Sequence, residues 1–386
     1  MVLKVGRGAA ARPFLVMDVI RAANARAASL APGAPGVIRM EVGQPGTGAP
    51  AGAREAARAA LAAGDPLGYT EALGRLSLRA RIARHYMEWY GLALPPERIA
   101  VTMGASGAFP LAFLAAFDPG DRVALTAPFY PPYANILTAL GLEPLVIEAG
   151  PETRFQPSVT MLQAIAPPPD GLIIASPCNP AGTMLHPDEL AAIARYCDGV
   201  GIRLISDEIY HGLHYDSPIA TAAEFSRSAV VINSFSKYFS MTGWRVGWIL
   251  CPEDLLRPVE CLAQNFFISA PHISQVAAEA AFDCRDELEA NRARYRRSRD
   301  LLLKALPEAG FPKLSPAEGA FYLFADISAR SNDSAAFAAR MLAEAGIAVT
   351  PGVDFDRRRG HHFLRFSYCA PEEDMAEAAA RLARWA

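Results

Sequence analysis

The sequence predicts an α/β protein, with a mostly parallel seven-stranded sheet between helices and a second, smaller α+β domain. Three observations carry this reading. Seven short β-rich runs lie at 99–103, 122–126, 144–148, 172–176, 203–206, 229–233 and 246–250. Helical stretches such as 106–117 and 187–197 separate several of them. Strands alternating with helices build a parallel sheet with both faces covered. After residue 274 the texture changes to long, Arg- and Glu-rich helix with only two further strand-like runs.

The elements follow in order. Residues 18–28 read as a short helix, followed by a Gly/Pro-rich segment at 32–36. Residues 37–42 could form a strand, ended by Gly43-Gln44-Pro45-Gly46. Residues 54–63 have helical composition, and 71–90 read as one amphipathic helix with Gly91 as its C-cap. The alternating block then occupies 46–280, a large domain. Beyond it, 275–305 reads as one long helix and 307–316 as a break. Strands at 320–326 and 362–368 flank a helix at 334–346. Residues 281–386 form the small domain, and 1–45 pack with it because they fit no βαβ unit.

Composition narrows the function classes. Hydrophobic residues make up 52% of the 386 and charged residues 20%, as in a globular protein with a large core. The net charge of −3 offers no basic face for nucleic acid or an anionic membrane. The longest apolar stretch, near 109–117, is far too short to span a bilayer. Six cysteines without a C-x-x-C pair read as thiols in a reducing, cytoplasmic compartment. Without an H-E-x-x-H or comparable cluster, no metal centre is expected.

In open α/β sheets, ligands bind beyond the carboxyl ends of the strands. Five segments leave those ends: Gly104-Ala105-Ser106-Gly107, Ala127-Pro128-Phe129-Tyr130, Pro177-Cys178-Asn179-Pro180, Asp207-Glu208-Ile209-Tyr210 and Ser234-Phe235-Ser236-Lys237. Ser234, Ser236, Lys237 and nearby Arg245 can bind a phosphate, although such a loop alone could be only a solvated turn. Ala105 and Ser106 start a helix whose N–H groups make a second anion cradle, or merely a capped turn. Asp207 leaves a buried strand, where a carboxylate is costly unless paired. It suits a protonated ring nitrogen, a structural ion pair or a helix cap. Tyr210, three residues on, and Asn179, fixed between prolines, could face the same cavity. Tyr130 could stack on a ring or belong to the core. Together these groups describe a pocket for a phosphorylated heteroaromatic ring with a carbonyl that one lysine can capture, the logic of pyridoxal phosphate.

Four segments carry a resemblance. Ser176-Pro-Cys-Asn-Pro-Ala-Gly182, Ser206-Asp-Glu-Ile-Tyr210, Ser234-Phe-Ser-Lys-Tyr-Phe-Ser-Met-Thr-Gly-Trp-Arg-Val-Gly247 and His362-Phe-Leu-Arg-Phe-Ser367 resemble the signatures of the class I/II aminotransferases, the aspartate-aminotransferase-like enzymes of pyridoxal-phosphate fold type I. The resemblance spans nearly the whole chain. It implies a Schiff-base and proton-shuttling role for Lys237, and pairing of Asp207 with the pyridine nitrogen. It gives Asn179 and Tyr210 the ring oxygen and Tyr130 the stacking face. The phosphate falls to Ala105, Ser106, Ser234, Ser236 and Arg245. Tyr69 resembles a tyrosine that reaches a neighbouring subunit's phosphate, which implies a homodimer. Gly43 and Arg365, with Asn179, resemble the substrate-carboxylate site. Cys178 departs from the family, which often has Asn or His there, and Ser106 is one of several types found at its position.

The implied reaction moves an amino group between an L-amino acid and a 2-oxo acid by ping-pong chemistry. The alternative on the same fold is a β-lyase, here a carbon–sulfur lyase, because fold does not fix reaction. Gly104-Ala-Ser106-Gly-Ala108 lacks the last glycine of a nucleophile elbow, and Ser234-x-x-Lys237 lacks the companions of penicillin-recognising enzymes. With no identifiable second arginine, and Phe14, Val16 and Tyr322 as pocket candidates, the donor side chain reads as neutral or apolar.

Overall fold

The computed structural model describes residues 3–385. The first helix, α1 (Leu15–Ala28), precedes a two-residue strand, β1 (Ile38–Arg39). Two helices follow, α2 (Ala51–Ala62) and α3 (Leu76–Tyr90). Then come β2 (Ile99–Thr102), α4 (Gly104–Ala116), β3 (Arg122–Ala127), α5 (Pro132–Ala139) and β4 (Glu143–Glu148). A short helix, α6 (Val159–Gln163), leads to β5 (Gly171–Ala175), α7 (Pro187–Val200) and β6 (Arg203–Asp207). Strands β7 (Val230–Ser234) and β8 (Gly247–Leu250) complete the seven-stranded sheet, in the order β2-β8-β7-β6-β5-β3-β4. Only β8 runs against its neighbours. Apart from the edge strand β4, which is largely exposed, the strands are mostly buried, as a sheet covered on both faces requires.

Helices α8 (Glu253–Phe266), α9 (His272–Ala281) and α10 (Arg285–Glu308) lead to a three-stranded antiparallel sheet. It is built from β9 (Tyr322–Asp326), β11 (Thr350–Pro351) and β12 (Phe363–Ser367). Helix α11 (Ser334–Ala345) and the two-residue β10 (Ile347–Ala348) lie between β9 and β11, and α12 (Glu372–Trp385) closes the chain. β1 pairs in parallel with β10. Among the described residues, no helix is long and apolar enough to cross a membrane, and no three metal-ligating side chains cluster.

Several elements differ from the sequence expectation. The strand expected at 37–42 pairs over two residues only. Beyond Met40 the backbone carbonyls turn to side chains: Glu41 accepts from Arg365 and Thr350, and Val42 from the Cys369 thiol. The helix expected from residue 71 starts at Leu76. A turn from Glu71 to Gly74, with Gly74 at φ +90°, must finish first. Gly91 does take the left-handed C-cap conformation. The single helix expected at 275–305 is two. The chain breaks at 282–284, where Phe282 turns into an aromatic cluster with Phe235 and Phe239. Helices α5, α8 and α12 were not foreseen. α8 carries Pro258 in its interior and so reads poorly as helix, while α5 is only eight residues long.

Sheet register positions the chemistry. Ala175, Asp207 and Ile232 stand side by side on β5, β6 and β7. One step further out, Ser234, Gly247 and Thr102 form a row across β7, β8 and β2. Because β8 is antiparallel, its start lies at the edge where the other strands end. Arg245, two residues before Gly247, is thereby delivered to the same edge.

Candidate active site

A cavity of about 510 Å³ opens at this edge. Its walls contain Gly43, Ala105, Ser106, Tyr130, Asn179, Asp207, Tyr210, Ser234, Ser236, Lys237, Arg245 and Arg365. Tyr69 is not among them; it is 83% exposed on the surface. Phe14, Val16 and Tyr322, expected on the side-chain side, also line the cavity.

Lys237 leaves β7 in a tight turn, and its Nζ donates to the Gly43 carbonyl at 2.6 Å. Burial holds its pKa down to about 8, with Arg365 and Arg245 acting in the same direction and Cys369 and Asp207 opposing. Gly43 must be glycine, since a Cβ there would sit 1.8 Å from Tyr322 Oη. Asp207 is 3% exposed. Burial lifts its pKa to about 6, against the hydrogen bond from Tyr133, the Ile209 amide at 3.1 Å and the charge of Lys237. The carboxylate is therefore mostly ionised at neutral pH and oriented by two donors, but faces no bonded cation.

The opposite corner is rich in donors. Ser234 Oγ donates to Ser236 Oγ at 2.9 Å. The first turn of α4 presents the amides of Ala105 and Ser106, and a helix N-terminus favours an anion. Arg245 approaches Ser106 Oγ at 3.5 Å and donates to the Thr242 carbonyl at 2.8 Å. Gly104, at φ +69°, clears this corner: a Cβ would lie 2.6 Å from Arg245 Nη2. This cradle suits a phosphate, and its position beside Lys237 and Asp207 suits a phosphorylated pyridine ring.

Across the cavity, Arg365 on β12 is 2% exposed and has no acidic partner within salt-bridge distance among the described residues. It donates to Asn179 Oδ1 at 2.8 Å, to the Glu41 carbonyl at 2.5 Å and to Thr350 Oγ1 at 3.1 Å, while Nε has no partner. A buried cation without a counter-ion is costly, so the site is poised for an anion. The guanidinium also lies 4.5 Å from the centroid of the Tyr322 ring. Tyr210 and Tyr322 share a hydroxyl–hydroxyl hydrogen bond of 2.8 Å. Burial raises the pKa of both phenols, so both stay protonated.

Sequence reasoning missed three contributors. Tyr133 orients Asp207, and Thr350 and the Glu41 carbonyl hold Arg365. Tyr133 left a signal, because it stands three residues after Tyr130, at the start of a helix in a segment that leaves the carboxyl end of a strand. Thr350 and Glu41 left none, since their roles depend on strands far apart in sequence.

A buried lysine, a buried carboxylate and a phosphate-sized cradle in one pocket suit an enzyme that handles amino groups through a phosphorylated carbonyl cofactor. The signature of the aminotransferase class I and II family matches residues 35–382. The valine–pyruvate aminotransferase of Mycobacterium tuberculosis is 48% identical over 99% of this chain and 98% of its own. The aspartate/prephenate aminotransferase of Thermus thermophilus is 34% identical over 94% of both chains. Among solved structures, an aminotransferase from Mycobacterium tuberculosis superposes with a TM-score of 0.97, at 47% identity, covering 100% of this chain and 99% of its own. The maleate-bound aspartate aminotransferase of Thermus thermophilus gives 0.92 at 32% identity, covering 99% of this chain and 100% of its own. This chain belongs to the class I and II aminotransferase family, and it is an aminotransferase. Members of the family use pyridoxal phosphate.

Proposed function

We propose that this aminotransferase holds pyridoxal phosphate in the 510 Å³ cavity and transfers amino groups from neutral aliphatic L-amino acids to a short 2-oxo acid such as pyruvate. The observation that carries the donor reading is the disposition of cations. Those lining the cavity are Lys237, Arg245 and Arg365. Arg245 belongs to the phosphate corner and Lys237 to Gly43, so Arg365 alone remains for a substrate carboxylate. The apolar part of the same lining includes Phe14, Val16, Met17 and Ile20. A second carboxylate would be buried there without a partner. The name of the valine–pyruvate relative supports the same reading.

When bound, the cofactor supplies an aldehyde that captures the amino group and a ring that withdraws electrons from Cα. The chain's own groups do the rest. Lys237 carries a useful neutral fraction near its pKa of about 8, so its Nζ can act as nucleophile and then carry the Cα proton. Asp207 holds a proton on the ring nitrogen by its charge. Asn179 gives its Oδ1 to Arg365, which leaves Nδ2 as a donor toward the ring oxygen, beside the Tyr210 hydroxyl. Tyr130 covers a ring face. Ser234, Ser236, Ala105, Ser106 and Arg245 take the phosphate. Arg365 binds the α-carboxylate and Gly43 lets it approach. Residues 46–280 act as the cofactor-binding unit, and 1–45 with 281–386 as the smaller one.

The active unit in this reading is a homodimer. Tyr69 sits in a loop tied to α9 by the Gly68–His272 hydrogen bond of 2.9 Å. Leu76, Phe266 and Ile268, on neighbouring segments, are also exposed. A second copy would cover them and receive Tyr69 at its phosphate corner. Six free thiols fit a reducing, cytoplasmic setting.

A donor screen against pyruvate and 2-oxoglutarate tests the reading. Valine or alanine should exceed aspartate in kcat/KM by at least about 30-fold, the equivalent of roughly 2 kcal/mol for a stranded carboxylate. Preference for a dicarboxylic donor would overturn it.

A further inference from the structure

Phe14, Val16, Met17 and Ile20, the apolar lining assigned above to the donor side chain, stand at the start of α1, and α1 does not hold itself in place. Its N-cap position is Phe14, which has no side-chain oxygen to satisfy the first amides. Those amides are satisfied from the far end of the chain. Leu15 N–H donates to Asp354 Oδ1 and Val16 N–H to Asp354 Oδ2, each at 3.0 Å. One carboxylate thus caps the helix with both oxygens, at the end where the helix dipole favours negative charge. Phe14, which precedes the capped amides, and Val16, which carries one of them, line the cavity, with Met17 and Ile20 beyond them. Phe14 also meets the Tyr130 ring edge-to-face, with centroids 5.7 Å apart.

Asp354 has a defined relation to the carboxylate site. It ends the turn Gly352–Asp354 that directly follows β11. In β11, Thr350 stands opposite Arg365 and accepts its Nη2 hydrogen bond. A short, paired segment therefore connects the group that would bind the α-carboxylate to the group that fixes the side-chain wall. Further along α1, Ala23 packs on Leu342 and Ala348, which anchors the other end of the helix to α11 and β10.

We infer that Asp354 is the positioning residue of the side-chain subsite: by capping α1 it sets the distance from Arg365 to the Phe14–Ile20 wall, and so sets which donor side chains are accepted. The inference rests on the cavity being the aminotransferase site proposed above. It does not touch the phosphate corner, Lys237 or Asp207. Loss of the cap should relax discrimination between donors and leave the chemistry of a donor too small to reach the wall unchanged.

The test compares wild type, Asp354→Ala and Asp354→Asn as loaded enzymes, with the wild type's best donor set against alanine. In Asp354→Ala the ratio of kcat/KM for best donor over alanine should fall about tenfold, through KM, because a well-fitted methylene in such a pocket is worth at least that much. The kcat for alanine and the affinity for pyridoxal phosphate should stay within twofold. Asp354→Asn keeps one acceptor oxygen and should give an intermediate ratio. Hydrogen exchange at the amides of Leu15 and Val16 should speed up in the same order, independent of turnover. A ratio within twofold of wild type in both variants, or unchanged exchange at these amides, overturns the inference. A dicarboxylic best donor in the wild type would instead overturn the donor reading, and the variants would still report on the cap.

Discussion

The two ends of the cavity are assembled by different means. At the end proposed for the phosphate, Ser234, Ser236, Ala105, Ser106 and Arg245 hang from β7, β2 and β8, which lie next to one another in one sheet. Their spacing follows from strand register, with Ser234 and Thr102 each opposite Gly247. At the carboxylate end, the contacts join segments at the two extremes of the chain. Glu41 meets Arg365 and Leu15 meets Asp354, pairs separated by 324 and 339 residues. A sheet edge is stiff and hard to adjust locally. A wall held by a few side-chain hydrogen bonds can be reset by one substitution. With the roles proposed above, the comparison teaches where change is cheap: donor choice would shift at the second end while the chemistry at the first is preserved.

The largest expected effects come from the sheet-edge side. Lys237→Ala should reduce transamination by about 10⁴-fold or more, the upper range for losing a positioned acid–base group. Borohydride should fix pyridoxal phosphate covalently to Lys237 in the wild type and to nothing in the variant. The lysine also predicts a pH dependence. Its pKa is lowered to about 8, and only the neutral amine attacks a carbonyl. Capture of pyridoxal phosphate by the cofactor-free protein should accelerate as pH rises through about 8 and level off above it. A rate still climbing at the pKa of an ordinary lysine would contradict the burial argument. Asp207→Asn should bind the cofactor yet lose on the order of 100-fold in rate, since an amide cannot keep a ring nitrogen protonated. A half-reaction within about tenfold of wild type, under roughly 1.4 kcal/mol, would assign Asp207 a structural role only.

Next in size is the carboxylate end. Arg365→Lys should cost about 2–3 kcal/mol in kcat/KM, the range for hydrogen bonds to charged groups, because lysine cannot reproduce the planar fork. Donor and acceptor should suffer alike, as both present an α-carboxylate to one site. An effect confined to one of them would move Arg365 to the side-chain subsite and erase the distinction between the two ends.

The same division explains what could be read from the sequence. The sheet-edge residues follow strands at regular intervals, so strand-exit logic alone groups Asp207, Asn179, Ser234 and Lys237. Arg245 was legible only as a neighbour of Lys237; its delivery to the edge depends on the antiparallel direction of β8. Gly43 and Arg365 came from family resemblance, because no local pattern links residue 43 to residue 365. Asp354 escaped altogether. It caps a helix whose own sequence shows no cap, and a missing Ser, Thr, Asp or Asn at Phe14 does not say which remote carboxylate replaces it. The helix read as starting at residue 18 in fact begins at Leu15, for the same reason.

The smallest effect expected from a substitution is at Tyr133, which lies on the sheet-edge side but was not placed there by strand-exit logic. Its hydroxyl donates to Asp207 Oδ2. Its ring packs edge-to-face on Phe109 and Tyr130, with centroids 5.0 Å and 5.4 Å away. Tyr133→Phe keeps the ring and removes only the donor. The Asp207 carboxylate, already lifted to about 6 by burial, then loses one of the two donors that stabilise its charge, so its pKa must rise further. At neutral pH a larger fraction is protonated and unable to hold a proton on a facing ring nitrogen. A hydrogen bond worth about 1.5 kcal/mol, the lower end for one to a charged group, would take the pKa from about 6 to about 7, so the rate at pH 7 should fall about twofold and the loss should widen below pH 6. The loss should shrink as pH is raised, because the ionised carboxylate returns, and the acid limb of the pH–rate profile should move to higher pH. A profile that keeps its shape while the rate drops uniformly would show that Tyr133 serves packing alone. Asp207 would then be oriented by the Ile209 amide alone.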